Sequence, residues 1–380
     1  RIPDSPAGTK GLSMFIVPKF IVDENGNLVS RNNLKCMNVE KKMGIHGNAT
    51  CEILYDEAQG FLIGEKNKGL NSMFVMMNIA RLQTGMQGLA ISELARQKAI
   101  DYSRLRKQGR DRSGAGGSIP IIDHADIKRI LAGISAFTEG ARAVALWTAF
   151  LMDLEEENFE SVTNAEAKQL VGFLTPIIKA YFTDNAFFKA SDALQCFGGY
   201  GYIKDYEIEQ LVRDVRVAMI YEGTNSIQAM DLVFRKVLLD NGESIELIGR
   251  LIENLAADSY SVKNRKIFDL LSSALMHLNE ATTWLREKSA QNEMKLIEST
   301  AVYFLRLCGH VIFGYIWLRI MIAASKLDTV DEINNRFAKK KLATGEFFFY
   351  QVLSESGFLL KNIKNSNANL LGDVISDGIA

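Results

Sequence analysis

The spacing of apolar residues in this 380-residue chain changes near residue 66, and that change constrains the fold more than any other feature. Before it, apolar residues form short runs and alternations bounded by turn residues, which is typical of β-strands. After it, they recur at helical spacing almost to the C-terminal end, beginning with a long amphipathic stretch at 70–107. The pattern predicts a mainly α-helical protein with a small β portion.

Local signals support the β portion, which is assigned to residues 1–62. Residues 12–18 form a compact apolar run, and residues 21–29 enclose the turn sequence 24–27 as the arms of a hairpin would. Residues 51–55 alternate in polarity, which favours a strand with one buried face.

The helical part is predicted to contain two domains. Residues 63–240 are expected to form a four-helix-type bundle, and residues 241–380 an additional helical domain with three or four helices between 245 and 365. After the stretch at 70–107, the helices predicted in the bundle are 123–155, 163–197, 205–218 and 226–239.

The segment 302–323 is apolar enough to suggest a membrane helix. It carries Arg306, His310 and Arg319, and each of these side chains is costly in the core of a bilayer. We therefore predict a core helix within a helical domain, and no membrane span.

Charge and cysteine content disfavour several function classes. With a net charge of −1, the chain has no overall field that would recruit nucleic acid or an anionic membrane. The 4 cysteines form no CxxC pair and the 4 histidines are dispersed, so no metal or redox motif is predicted and a reduced, cytoplasmic setting fits best. Because the chain begins at Arg1 just ahead of a predicted strand, we expect the N-terminal part of a longer protein to precede it.

Glu222 is the strongest single candidate for a catalytic residue. It follows the apolar run 217–220 and directly precedes Gly223. Apolar surroundings disfavour the charged form of a carboxyl group, which suits a base that takes up a proton near neutral pH. An isolated Tyr-Glu-Gly-Thr sequence, however, carries little information.

Two further clusters precede Glu222 along the chain. Residues 195–202 place paired glycines at a predicted helix end, where the backbone approaches a ligand closely and exposes amide donors. Taken alone, such a cluster is more often an ordinary glycine helix stop. Arg213 and Asp214 form a charged patch, for which a salt-bridged helix end is the alternative interpretation.

In their order and spacing, the three clusters resemble the acyl-CoA dehydrogenase family. The succession Gln-x-Phe-Gly-Gly-x-Gly-Tyr, Arg-Asp and Tyr-Glu-Gly-Thr-Asn-x-Ile-Gln carries the resemblance, and residues 10–18, 42–50 and 64–70 agree with it. The resemblance spans residues 1 to about 240 and implies that residues 1–62 are the remainder of a β-barrel-like middle domain. The tail to Ala380 resembles the extra helical domain of a longer subgroup.

The resemblance implies an oxidoreductase that uses FAD. In this family a glutamate removes the α-proton of an acyl-CoA thioester while a hydride passes from the β-carbon to the flavin N5, giving a trans-2-enoyl-CoA. Glu222 matches this base. Some family members place the base one position before the residue that matches Arg81, but here that position is Ala80, which cannot take up a proton.

The resemblance also assigns ligand contacts. Arg106 matches an arginine on the FAD diphosphate, and Gln195 with Gly199 matches residues that reach FAD across a dimer interface. Thr224 matches a hydroxyl near the pyrophosphate, and Ser226 stands where the family often has a glutamine or glutamate. The expected cofactor-binding set is Arg106, Gln195, Gly198, Gly199, Thr224 and Ser226, and the expected substrate-binding set is Arg81, Tyr221 and Gly223.

The partners that the resemblance implies are an acyl-CoA substrate and electron transfer flavoprotein, in a homodimer or homotetramer without nucleic acid. The acyl chain stays open between a short or medium fatty acyl chain and one that carries a thioether. The family's segment over the flavin and its N-terminal helical domain are not among these 380 residues, so this chain alone is expected to bind FAD poorly.

Two alternative functions stay open at this point. An acyl-CoA oxidase shares the first half-reaction but passes its electrons to oxygen. A non-dehydrogenase flavoprotein of the alkylation-response type binds DNA, which the net charge of −1 disfavours.

Overall fold

The computed structural model describes residues 1–110, 117–156, 164–327 and 331–366. It divides into two compact units, Arg1–Arg81 and Leu82–Ala380. The boundary between them falls within helix α1 (Gly69–Leu105).

The first unit contains short antiparallel strand pairs. Its strands are β1 (Met14–Ile16), β2 (Phe20–Val22), β3 (Leu28–Arg31), β4 (Leu34–Val39), β5 (Cys51–Tyr55) and β6 (Phe61–Ile63). β1 pairs with β6, β2 with β3 and β4 with β5. The predicted β portion is thus confirmed in its main elements.

The hairpin predicted around residues 24–27 is formed by β2 and β3, with Phe20 opposite Arg31. Asp23 closes its turn, because one carboxylate oxygen accepts from the backbone N–H of Asn25 at 2.9 Å and of Asn27 at 2.8 Å. Gly26 has φ +82°, a conformation that glycine adopts without steric cost.

The prediction that 51–55 has a buried face was wrong for this chain. All five residues of β5 are exposed. The reason is that the described strands of this unit associate only in pairs, so a two-stranded ribbon has little to pack against on either face.

The second unit is helical. After α1, which runs into it from the first unit, its helices are α2 (Ala125–Glu156), α3 (Asn164–Phe197), α4 (Ile208–Arg216), α5 (Asn225–Met230), α6 (Glu243–Glu253), α7 (Ser259–Lys263), α8 (Arg265–Ala290), α9 (Met294–Leu327), α10 (Glu332–Phe347) and α11 (Ser356–Lys364). One strand pair, β7 (Lys107–Arg110) with β8 (Ser118–Pro120), follows α1. These elements confirm the mainly helical fold class.

The helix count expected after residue 245 was too low, since the described residues form six helices there, α6 to α11. A break at Asn264, with φ −109° and ψ 47°, separates α7 from α8 although apolar periodicity continues through it. A π-helical turn at Phe348–Val352 and a 3-10 turn at Leu353–Glu355 likewise divide α10 from α11. Apolar periodicity indicates which face of a helix is buried, but it does not indicate where the helix is locally broken.

Helices α6–α11, called here the C-terminal helices, share one hydrophobic core with the bundle. Phe313 of α9 stacks on Phe137 of α2 with ring centroids 6.0 Å apart, and it meets Phe182 of α3 edge-on at 5.7 Å. Trp317 donates its indole N–H to the carbonyl oxygen of Ala136 at 3.0 Å. The close approach needs Gly309, because a Cβ there would lie 2.3 Å from the Tyr181 ring.

Helix α9 contains the apolar segment 302–323. Among the described helices it is the one long and apolar enough to cross a membrane, yet 83% of its most apolar window is buried inside the protein. His310 within it is 2% exposed and hydrogen-bonded on both ring nitrogens. The prediction of a core helix is confirmed.

Candidate active site

The turn between α4 and α5 carries Glu222 in an unusual backbone conformation. A 3-10 turn at Val217–Met219 follows α4, and Glu222 then adopts φ +57° with Gly223 at φ +85°. Left-handed backbone costs a non-glycine residue about 1 kcal/mol, so it persists only where neighbouring contacts enforce it. The turn therefore holds the glutamate in a specified orientation.

Gln228 enforces this turn from inside α5. Its buried amide nitrogen donates to the carbonyl oxygens of Glu222 and Gly223, each at 3.3 Å. Glycine is favoured there by its φ of +85°, and a Cβ at Gly223 would lie 2.9 Å from that nitrogen and displace the Gln228 amide. On the other side of the turn, the Tyr221 hydroxyl donates to Oε1 of Gln87 on α1.

Asn225, the first residue of α5, attaches the turn to α3. Its Oδ1 accepts from Nζ of Lys179 at 2.7 Å, and its Nδ2 donates to Oδ1 of Asp184 at 2.6 Å. The same Nδ2 also lies 2.9 Å from the hydroxyl oxygen of Thr183. Lys179 is completely buried, at 0% exposure.

The Glu222 carboxylate is poised to interact with a ligand. The residue is half-buried, and its Oε2 is buried without a hydrogen-bond donor among the described residues. An unsatisfied buried oxygen costs about 1–3 kcal/mol and is rare in structural positions. The arrangement can accept a proton from a molecule placed against it.

The glycine cluster forms a 3-10 turn, Gly198–Tyr202, at the end of α3. Gly198 has φ +59°, and no atom lies within 4 Å of the Cβ position of Gly198 or Gly199. Gly201, in contrast, is packed, since a Cβ there would lie 2.6 Å from the carbonyl oxygen of Leu194. Gly201 is thus needed for packing, whereas the backbone of Gly198 and Gly199 is exposed and open.

Arg106 lies beside this turn. Its guanidinium is 5.4 Å from the ring centroid of Tyr200, and its backbone N–H donates to Tyr102 at 2.8 Å. Tyr102 stacks on Phe197 with 4.2 Å between ring centroids. The structure therefore joins Arg106 to the end of α3 that carries Gln195, Gly198 and Gly199, and these four residues are called here the glycine-end group.

The remaining predicted residues lie elsewhere. Thr224 and Ser226 are exposed at the start of α5 with 3.4 Å between their hydroxyl oxygens. Gln87 contacts their turn and Tyr102 contacts the glycine end, and these residues are 102 − 87 = 15 positions apart on α1, which is about 22 Å of helix. Within one chain, the structure does not bring Thr224 and Ser226 to the glycine-end group.

One predicted feature belongs to local structure. Arg213 forms an i,i+4 ion pair with Glu209 at 2.6 Å on α4, in agreement with the alternative of a salt-bridged helix end. Arg81 belongs to the first unit, where its side chain is 8% exposed. Among the described residues, no group of three or more metal-ligating side chains occurs.

The sequence prediction missed Lys179 and Asp184, which support the turn, whereas Asn225 and Gln228 belong to the Tyr-Glu-Gly-Thr-Asn-x-Ile-Gln motif and were given no separate role. Lys179 had one visible signal, since a cation stands alone in the otherwise apolar stretch 176–182. A charge in such a run is either exposed or held by a buried partner.

Comparison with known proteins identifies two family models in the chain. Acyl-CoA dehydrogenase, C-terminal domain, matches residues 67–237, and acetyl-CoA dehydrogenase C-terminal like matches residues 245–372.

Curated relatives match almost the whole chain. It is 37% identical to 3-methylmercaptopropionyl-CoA dehydrogenase of Ruegeria pomeroyi and 30% identical to butyryl-CoA dehydrogenase of Syntrophomonas wolfei, in each case over 98% of the chain and 63% of the relative. It is 32% identical to a broad-specificity linear acyl-CoA dehydrogenase of Mycobacterium tuberculosis over 94% of the chain and 62% of the relative. The chain thus spans somewhat less than two thirds of the relatives that it matches.

Solved structures share the fold. Caenorhabditis elegans ACDH-11, solved in complex with C11-CoA, matches with a TM-score of 0.70 and 24% identity over 88% of this chain and 53% of that one. An acyl-CoA dehydrogenase from Bacillus anthracis, solved with FAD, matches with a TM-score of 0.64 and 21% identity over 90% of this chain and 59% of that one.

Proposed function

This chain belongs to the acyl-CoA dehydrogenase family, and we propose that it supplies the catalytic base and part of the FAD site of an enzyme that oxidises acyl-CoA thioesters to trans-2-enoyl-CoAs. Since the chain spans less than two thirds of its relatives, the proposal concerns the protein in its natural full length.

The observation that carries the proposal is the state of Glu222. Its Oε2 is buried and, among the described residues, without a donor, while Gln228 holds the carbonyl groups of Glu222 and Gly223 in a left-handed turn. Such an oxygen is costly in a merely structural role. It is typical of a group whose partner is a substrate.

The chemical step that this geometry supports is α-proton abstraction. The α-carbon of a thioester loses its proton only to a base that is close, aligned and poorly hydrated. Glu222 takes this proton on its carboxylate, and its backbone N–H donates to the thioester carbonyl oxygen, where negative charge develops. Tyr221, Gly223 and Arg81 are assigned to the substrate side by the resemblance to the family.

The exposed residues fit FAD. Arg106 offers a cation for a diphosphate, Gly198 and Gly199 offer open backbone, and Thr224 with Ser226 offers two exposed hydroxyls. When bound, FAD accepts the hydride that leaves the β-carbon of the substrate. Arg106 and Thr224 are both assigned to the diphosphate, and about 22 Å of α1 separates their two groups, so we assign the groups to two different FAD molecules. In a homodimer or homotetramer, the glycine-end group of one subunit then serves the FAD of its partner.

The substrate is proposed to be a short or medium acyl-CoA, including one with a thioether in its chain. The relatives named for 3-methylmercaptopropionyl-CoA and butyryl-CoA, which align over 98% of this chain, support a short acyl group. Electron transfer flavoprotein is the proposed electron acceptor, and a cytoplasmic location is proposed from the dispersed cysteines.

The deciding experiment is a screen of acyl-CoAs against the full-length protein and its Glu222→Gln variant. We expect an FAD absorbance spectrum in both proteins and a fall in kcat of about 100-fold or more in the variant, because glutamine cannot accept a proton. Full activity in the variant would remove Glu222 as the base.

The same preparation separates the alternative functions. Stoichiometric hydrogen peroxide release during aerobic turnover would identify an acyl-CoA oxidase. Tight DNA binding at physiological salt, without acyl-CoA oxidation, would identify a DNA-binding flavoprotein.

A further inference from the structure

We propose that Lys179 and Asp184 of α3 are positioning residues that set the orientation of Glu222 through Asn225. This inference rests on the proposed function of Glu222 as the base. It assigns a role in the reaction to a buried lysine and a half-buried aspartate that share Asn225 as a hydrogen-bond partner and lie outside the predicted site.

Asn225 is fixed by charged partners at both ends of its side-chain amide. Its carbonyl oxygen accepts from the Lys179 ammonium at 2.7 Å, and its amide nitrogen donates to the Asp184 carboxylate at 2.6 Å. A cation on one side and an anion on the other determine which end of the amide faces which charge. The side chain of Asn225 therefore has a single favourable orientation between its neighbours.

The two charged groups are removed from water to different degrees, since Asp184 is only half-buried. Lys179 is 0% exposed, and an ammonium group in such a place is stable only with compensating partners. Burial raises the pKa of Asp184, while the hydrogen bond from Asn225 and the charge of Lys179 act to lower it. Hydrogen bonds to charged groups are about twice as strong as neutral ones, so this attachment to α3 is firm.

Helix α5 links Asn225 to the turn that carries Glu222. Asn225 is the first residue of α5, and Gln228 of the same helix donates to the carbonyl oxygens of Glu222 and Gly223. Fixing Asn225 on α3 thus fixes the helix from which Gln228 holds the turn. Glu222 needs this support, because its φ of +57° is not favoured by its own backbone.

The inference is tested in the full-length enzyme with FAD bound, using the acyl-CoA that the wild type oxidises fastest. The variants are Lys179→Met, Asn225→Asp and the double variant Lys179→Met/Asp184→Asn. For each, kcat, KM, the melting temperature and the kinetic isotope effect with α-deuterated substrate are measured.

We expect kcat to fall about tenfold or more in each variant, while KM changes by less than about threefold. The reason is that the base is misaligned whereas substrate binding is retained. The isotope effect should rise, since proton removal becomes more strongly rate-limiting. The double variant removes both charges of the pair, so its melting temperature should recover relative to Lys179→Met while its kcat stays low.

Lys189→Met is the matched control. Lys189 lies on the same helix and pairs with Asp192 at 2.9 Å, away from the turn. Its kcat should stay within about twofold of the wild type.

Two outcomes overturn the inference. Recovery of both melting temperature and kcat in the double variant shows that the pair only stabilises the fold, and wild-type kcat in Asn225→Asp shows that the amide does not act through the turn. If Lys179→Met does not fold, the double variant and Asn225→Asp still test the inference. Failure of the proposed function is distinguished by Glu222→Gln, which then keeps its activity.

Discussion

His310 and Tyr181 are joined by a hydrogen bond of 2.8 Å between the imidazole Nδ1 and the phenol oxygen, which connects the C-terminal helices to the bundle. Burial raises the pKa of Tyr181 far above its ordinary value, so the phenol stays protonated. Its O–H donates a hydrogen bond to the imidazole Nδ1. The other ring nitrogen then donates to Oε2 of Glu355 at 2.8 Å, an oxygen that also accepts from Arg306 at 2.9 Å.

We expect the free energy of unfolding to fall as the pH drops below about 6.5. Burial lowers the pKa of His310, although the hydrogen bond to Glu355 acts to raise it, so the unfolded chain takes up a proton that the folded protein does not. Urea unfolding between about pH 7.5 and about pH 5 measures this slope. The His310→Gln variant should show a flatter slope, and an unchanged slope would contradict the assignment.

Glu355 adds to the same trend at lower pH. Burial acts to raise its pKa, but the hydrogen bond from His310 and the charge of Arg306 together hold the pKa below its ordinary value. The stabilisation that this carboxylate provides is present above its unfolded-state pKa and is lost as the pH falls through its folded-state pKa.

Replacement of Gly309 by alanine is expected to destabilise the protein by about 1–3 kcal/mol. The added methyl group would lie 2.3 Å from the Tyr181 ring, which is itself held by surrounding side chains. Thermal unfolding checks the effect. Gly47→Ala is the control, because nothing lies within 4 Å of its Cβ position, and its melting temperature should match the wild type.

Gly223→Ala is expected to lower kcat about tenfold or more while FAD stays bound. The alanine would be strained at φ +85° and would press on the amide of Gln228, which holds the Glu222 carbonyl. Steady-state kinetics on the full-length enzyme gives the measurement. If kcat is unchanged and only the melting temperature falls, the turn does not control the base.

Arg106→Ala is expected to weaken FAD binding by about 10- to 150-fold, since a charge-assisted hydrogen bond to a phosphate contributes about 1.5–3 kcal/mol. Arg104→Ala is the matched control, because Arg104 is exposed and pairs only weakly with Asp101 at 3.7 Å. Flavin fluorescence titration of both variants in the full-length protein compares their Kd values. Equal affinity in the two variants would remove Arg106 from the cofactor site.

Periodic and local signals in the sequence predicted much of the fold. The change of pattern near residue 66, the hairpin around Gly26 and the core helix within 294–327 were confirmed, because each depends on burial pattern or turn chemistry. The buried face expected for β5 and the number of C-terminal helices were wrong. Both properties depend on what packs against an element, and the sequence of that element alone does not contain this information. The domain boundaries at 62 and 240 stay a prediction.

The site was predicted unevenly for the same reason. Glu222 stands in a contiguous motif, so its importance was visible from the residues around it. The support from α3 was not visible, since Lys179 is 46 positions from Asn225 and the two residues meet only in the folded chain. The separation of Arg106 from Thr224 was not predicted either. It follows from the length of α1, and the motifs around the two residues give no information on that length.

The aromatic contacts of Phe313 determine how this part of the protein responds to heat and to proteases. Its ring touches Phe137 and Phe182 of the bundle as well as Phe348 among the C-terminal helices, so neither set can lose its packing while the other keeps it. We therefore expect the bundle and the C-terminal helices to melt as one cooperative unit. After a single cut in the chain between them, we expect the two pieces to remain bound to each other.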